Sequence, residues 1–110
     1  MTLEAVHRIV EEGGDADDVL RGVVEALATD PDVDWAAIRF IEEGELVLGP
    51  ASGEPDEGRR SVTSIRYRGE QVGELLVDGA ADEAALTRVA DVISEYVLLG
   101  WDTGGQTWEP

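Results

Sequence analysis

The chain of 110 residues carries 25 carboxylates against 8 basic residues, a net charge of -17, and is long enough to build one hydrophobic core but not two. Every basic residue is an arginine, and so negative a surface opposes a phosphate backbone, whose binding rests on basic side chains displacing counterions; nucleic acid is excluded as a partner. The absence of cysteine removes disulfides, thiolate nucleophiles and cysteine-rich metal sites together.

Leu3, Val6, Ile9 and Val10 recur at helical spacing, which predicts a short amphipathic helix over Thr2–Glu12 stopped by Gly13-Gly14. Glu4 and Arg8 interrupt the apolar residues there, so this stretch reads as neither a signal peptide nor a membrane span; no membrane partner is expected, and the expected location is the cytoplasm. Asp15 stands where it would cap a second helix, with Asp17 and Asp18 in the first turn and an apolar stripe of Val19, Leu20, Val23, Val24 and Leu27. Asp30-Pro31 ends that helix.

Trp35–Ile41 is an apolar run broken only by Arg39, the pattern of a central strand covered on both faces. Glu42-Glu43-Gly44 then makes a hairpin turn into a second strand, Glu45–Leu48. Pro50, Gly53, Pro55 and Gly58 punctuate Gly49–Arg60, which reads as a loop. Ser61–Tyr67 alternates, with Ile65 and Tyr67 on one face; Arg68-Gly69-Glu70 turns; Gln71–Asp78 follows as a strand carrying Val72, Leu75, Leu76 and Val77. From Ala81 to Leu99 a long helix has Leu86, Val89, Ala90, Ile93, Tyr96 and Val97 on one side. Trp101 and Trp108 lie in the remaining tail among glycines.

Side chains that could carry chemistry are few. His7 is the only histidine, with no second histidine for a metal and no nucleophile spaced for a triad, so it reads as a surface or helix-packing residue. Asp15, Asp17 and Asp18 lack the alternating ligands and closing glutamate of a calcium loop and read as helix-capping carboxylates. Glu42, Glu43 and Glu45 read as a solvated hairpin tip. No metal and no cofactor is expected. Arg59, Arg60, Arg66 and Arg68 concentrate the scarce positive charge around the third strand; pairing with neighbouring carboxylates is the simpler reading and an anion-binding patch the alternative. The lysine-free, acidic composition fits either a protein kept soluble in high salt or a GC-rich coding sequence.

The succession of helix, hairpin, loop, hairpin and helix, with Ile65-Arg66-Tyr67-Arg68-Gly69-Glu70-Gln71-Val72-Gly73-Glu74-Leu75-Leu76-Val77 leading to the last helix, resembles the GAF domain family over roughly residues 15–99. Leu46-Val47-Leu48-Gly49-Pro50-Ala51-Ser52-Gly53 also looks like the second strand and following loop of the GAF-type free methionine sulfoxide reductases. The resemblance implies catalysis by cysteines between the second strand and the last hairpin in those enzymes, and this sequence has none. It implies equally a pocket roofed by a strand and helices in the segment that is shortened here to Gly49–Arg60. Neither the chromophore cysteine of phytochrome-type members nor the asparagine-lysine-phenylalanine-aspartate-glutamate signature of cyclic-nucleotide binders is present.

The expectations are therefore an α+β fold of GAF or profilin-like type in residues 1–100, with a four-stranded antiparallel sheet in the order 2-1-4-3, the terminal helices on one face, and a tail over 101–110. The expected function is a non-catalytic regulatory or interaction module for signalling that forms a homodimer through its terminal helices. The alternative is a small-molecule sensor whose reduced pocket uses Ala51, Ser52, Arg60, Arg66, Tyr67 and Trp101; an enzyme of the sulfoxide reductase type ranks last. Two large indoles seldom stay exposed, so the tail is expected to fold over the sheet face left open by the shortened middle, in its own subunit or in a second one. Deleting Thr103–Pro110 should lower the melting temperature or dissociate a dimer, and an unchanged melting curve with an unchanged mass in solution would refute that placement.

Overall fold

The computed structural model describes residues 3–99; Trp101, Trp108 and the rest of the expected tail lie outside the described residues. Within them the order is α1 (Leu3–Glu12), α2 (Ala16–Ala28), β1 (Val33–Glu42), β2 (Glu45–Gly53), a 3-10 turn (Glu57–Arg59), β3 (Arg60–Tyr67), β4 (Glu70–Gly79) and α3 (Glu83–Leu99). The four strands form one antiparallel sheet in the order β2-β1-β4-β3, as the sequence led us to expect. Gly13, at φ 72°, takes the left-handed conformation that closes α1. Asp15 sits at the N-cap of α2 in extended conformation but makes no side-chain cap bond, so its contribution is its charge at the positive end of the helix. Asp30 ends α2 by a turn of its own, its Oδ1 accepting from the Asp32 N–H at 2.9 Å.

Both hairpins use two-residue turns, Glu43-Gly44 and Arg68-Gly69, with positive φ at both positions. This turn type matches the right-handed twist of its strands. The core lies between the sheet and α2 and α3: Leu20, Val23, Val24 and Leu27 from α2 and Leu86, Val89, Ala90, Ile93 and Val97 from α3 meet Ala36, Ile38, Phe40, Ile65, Leu75 and Val77 from the strands. Helix α1 packs on α2 and α3 rather than on the sheet, burying Val6 and part of Ile9 and Val10. One side of the sheet is thus covered by helices; on the other side no helix of the described residues packs, and Trp35, Ala37 and Leu76 there are nevertheless buried.

Three features depart from the sequence reading. First, β2 runs on to Gly53, through what Gly49 and Pro50 mark as loop. The register slips by one residue between Ala37 and Arg39, so β2 bulges opposite Ile38. A bulge on an edge strand tolerates a proline because no ladder partner waits for the missing N–H. Second, β1 is covered on both faces only in its first half: Trp35, Ala36, Ala37 and Ile38 are buried, while Arg39 is partly exposed and Ile41 exposed. Third, the link between the hairpins shrinks to residues 54–59, because β2 and β3 both extend into it.

Gly73 sets how closely α3 approaches. A Cβ at this position would come within 2.9 Å of Val97 Cγ1 and would also press on the Arg39 carbonyl oxygen. Gly73→Ala should therefore destabilise the fold by roughly 1–3 kcal/mol through overpacking, read as a lower urea midpoint with unchanged slope; full stability in the variant would contradict the packing described.

Candidate functional site

Directly paired residues of an antiparallel sheet point to the same side, so the register lays the side turned away from the helices out in rows. The first row is Gly53, Trp35, Asp78 and Arg60, in the order β2, β1, β4, β3; the second is Ala51, Ala37, Leu76 and Val62; the third is Leu48, Arg39, Glu74 and Ser64. Trp35, Ala37 and Leu76 form a small buried cluster of their own on this side. Around it Leu46, Leu48 and Val62 are 45%, 56% and 53% exposed, and Ile41, paired with Leu46, is exposed as well.

The first row is closed by ionic contacts. Asp78 is fully buried, and its carboxylate accepts three hydrogen bonds: Arg60 Nε to Oδ1 at 2.7 Å, Arg60 Nη2 to Oδ2 at 2.9 Å, and the Asp56 backbone N–H to Oδ2 at 2.6 Å. The bidentate fork fixes the guanidinium plane, which lies over the Trp35 ring at 4.6 Å from its centroid. Glu57 adds a looser contact to Arg60 at 3.8 Å, and Arg59 reaches Asp34 at 3.2 Å. Residues 54–59 are thereby held down at one end of the face. Farther along the face, in the third row, Arg39 and Glu74 pair at 3.3 Å.

The residues that the sequence singled out for a pocket do not converge. Arg60 is at the closed end, its donors committed to Asp78. Ala51 pairs with Ala37 and shares that side of the sheet, whereas Ser52 pairs with Ala36, a residue of the helix-side core. Arg66 is six residues along β3 from Arg60, about 20 Å at the strand rise, and donates to the Gly69 carbonyl at 3.4 Å. Tyr67 is half-buried, with the Arg68 guanidinium over its ring at 5.3 Å. Trp101 lies outside the described residues. The expected pairing of arginines with carboxylates holds for Arg59 and Arg60 but not, among the described residues, for Arg66 or Arg68.

Sequence reasoning missed the partnership of Trp35 and Asp78. One signal was available: Asp78 directly follows the apolar run Leu75-Leu76-Val77 at the end of a buried strand, where a carboxylate requires a partner. His7 is exposed on α1 and borders an open depression of about 540 Å³ with Glu4, Arg8 and Glu11. A second open depression, of about 570 Å³, is lined by Val33, Asp34 and residues 53–56 beside the closed end of the sheet. Among the described residues no group of His, Asp and Glu is arranged to hold a metal ion, and no helix is long and apolar enough to cross a membrane.

The hydrogen bonds from Arg60 hold the Asp78 carboxyl below its ordinary value, outweighing the opposing effect of burial. A carboxyl with a depressed folded pKa stabilises the fold fully above its unfolded pKa and loses that contribution as the pH falls through the folded value. Asp78→Asn should lower the melting midpoint by on the order of 10 °C near neutral pH, since it strands Arg60. The gap to the wild type should stay constant down to about pH 4 and narrow only below that. A gap that closes between about pH 7 and pH 5 would assign the stabilisation to another group.

No protein-family model matches the sequence, and no curated relative matches it either. Solved structures match the fold along most of the chain. A GAF domain of the phosphoenolpyruvate-protein phosphotransferase from Acinetobacter is 16% identical with a TM-score of 0.69, covering 97% of this chain and 96% of that one. The type II free methionine-R-sulfoxide reductase of Thermoplasma acidophilum is 20% identical with a TM-score of 0.68, covering 78% of this chain and 94% of the other. The reductase of Neisseria meningitidis, solved in complex with its substrate, is 15% identical with a TM-score of 0.71, covering 87% of this chain and 86% of its own. What these neighbours share with the chain is a frame rather than a sequence: the fold of the chain is GAF-like.

Proposed function

We propose that this GAF-like domain is a non-catalytic interaction module that docks its partner on the side of the sheet turned away from the helices, its output being regulatory occupancy rather than turnover. The observation that carries this reading is the concentration of exposed apolar side chains there: Ile41, Leu46, Leu48 and Val62 stand around the buried Trp35, Ala37 and Leu76. The outer surfaces of the helices are mainly polar by contrast, with Glu4, His7, Arg8 and Glu11 on α1 and Arg88, Asp91 and Glu95 on α3 exposed, Leu98 on α3 being an apolar exception. Several exposed apolar side chains on one side of a sheet are a mark of a contact surface, which favours the sheet over the terminal helices.

The chemistry of the chain supports the same reading. Resemblance to the sulfoxide reductases implies cysteine catalysis, and the sequence contains no cysteine at all. The single histidine is on α1, which packs on the helix layer and not on the sheet. A small-molecule sensor is the second reading; the open depression beside Asp34, Glu54 and Asp56 would give it an acid-lined site suited to a cation.

The reading has two arms that can be measured. Incubation with free methionine sulfoxide and a dithiol reductant should give no methionine, and turnover would overturn the non-catalytic assignment. A hydrophobic fluorescent dye, added at protein dilutions that keep the chain monomeric, should bind wild type and Leu98→Glu alike, since Leu98 is exposed on α3, and should lose most of its signal with Leu48→Glu/Val62→Glu. Equal dye binding by all three would remove the sheet face from consideration, while melting shifted by a cationic metabolite would favour the sensor.

A further inference from the structure

Burial on the side turned away from the helices follows a stripe. Trp35, Ala37, Leu76 and Asp78, on the central strands β1 and β4, are buried, and Arg39 and Glu74 in the next row are partly buried. On the flanking strands Leu48, Ala51, Val62 and Ser64 are exposed. The stripe is two strands wide, about 10 Å, which a single extended segment with its side chains can span. Arg60 lies over the Trp35 ring and supplies cover at the first row, where the link 54–59 leaves β2 at Gly53 and enters β3 at Arg60. Ala37 and Leu76 are one row farther along and fully buried. Their burial is that of one chain by itself, so the cover is the chain's own.

At one end the stripe runs into a notch. The β1–β4 ladder stops at Phe40 and Gly73, while β1 stays paired with β2 as far as Glu42 and Glu45, and β3 with β4 as far as Tyr67 and Glu70. Past Phe40 the two hairpins therefore part. Between them lies a cavity of about 150 Å³, lined by Phe40 and Ile41 of β1, Gln71 and Val72 of β4, and Val97 and Leu98 of α3. Its lining comes from both sides of the sheet: Phe40 and Val97 belong to the helix-side core, whereas Ile41 follows Arg39 on the opposite side and is exposed, as is Leu98 on the rim. Helix α3 ends at Leu99, so the chain continues from this notch. Trp101 comes three positions after Leu98, and Trp108 seven positions after that.

We infer that residues 101–110 turn through the notch, with Trp101 seated in it, and run along the stripe so that Trp108 covers Ala37 and Leu76. The length suffices: from Phe40 to Trp35 the strand rises about 17 Å, and ten extended residues reach about 33 Å. The composition suits the place as well. Two indoles bring a large apolar area to an apolar row, and Gly104-Gly105 between them lets the backbone bend and approach closely. The partner proposed above meets Leu46, Leu48 and Val62 beside this segment, so the cover and the partner stand or fall separately.

The sequence has no cysteine, so one introduced thiol reports one position. At about 1 µM protein, Ala37→Cys should react with a water-soluble maleimide at least about tenfold more slowly than Val62→Cys. Ending the chain after Gly100 should raise the Ala37→Cys rate at least about tenfold, and so should Trp101→Ser/Trp108→Ser in the full chain. Under mild oxidation Val62→Cys/Glu109→Cys should close a disulfide within a monomer of 11.8 kDa, whereas Arg88→Cys/Glu109→Cys, with one thiol on the exposed face of α3, should stay open. This last comparison uses the full chain and decides the matter where the shortened one does not melt cooperatively. A rate that stays slow without the segment means that residues 3–99 bury Ala37 themselves, and a rate that is fast with the segment means that the row is open. Protection that grows with concentration as the mass doubles gives the cover to a second copy. Closure of the Arg88→Cys pair and not of the Val62→Cys pair puts the segment on the helices. Each of these four results overturns the inference.

Discussion

A carboxylate with no access to water at the end of a buried strand is tolerated only if its charge is met, and the arrangement around Asp78 follows from that requirement. Arg60 meets it with a two-pronged contact, the Asp56 N–H completes it, and Trp35 carries the flat guanidinium on its ring. The start of β3, the end of β4, the middle of the link between the hairpins and the first row of β1 are thereby joined at one point. Because residues 54–59 are committed there, they are not available to cover the rest of the sheet.

The two sides of the sheet solve the burial problem differently. On the helix side α2 and α3 supply a continuous apolar layer, and Gly73 lets α3 settle directly on β4. On the other side the chain economises: alanines at positions 37 and 51 keep the surface low, Trp35 is shielded by an arginine instead of a helix, and the third row carries an ion pair where a core would carry aliphatic residues. Such a face is apolar enough to gain from being covered.

Much of the frame was legible in the sequence because it rests on local periodicity. The stripes of Val19–Leu27 and Leu86–Val97, the alternation of Ser61–Tyr67 and the two x-Gly turns each declare themselves within a few residues. Gly49-Pro50 misled because those residues signal a loop in isolation, whereas an edge strand with a bulge can absorb them. The grouping of Arg66 and Tyr67 with Arg60 failed for a different reason. Neighbours in sequence along a strand point to opposite sides at every step and separate by about 3.3 Å per residue, so closeness in the chain is poor evidence of a shared site. The Asp78–Arg60 contact, 18 residues apart, depends on how β3 registers against β4, which the pattern of apolar residues leaves open by a step of two.

The bulge at Gly49-Pro50 bears on how far any assembly of this chain can grow. An edge strand is a template on which further strands can add without limit, the usual hazard of a long, partly apolar β2. Here the ladder of outward N–H groups is broken in mid-strand by a residue that has none, and the bulge bends the strand away from the straight line a newcomer would need. Growth in the plane of the sheet is therefore capped. The chain can therefore expose leucines on its edge strand without that edge becoming the template of a fibre.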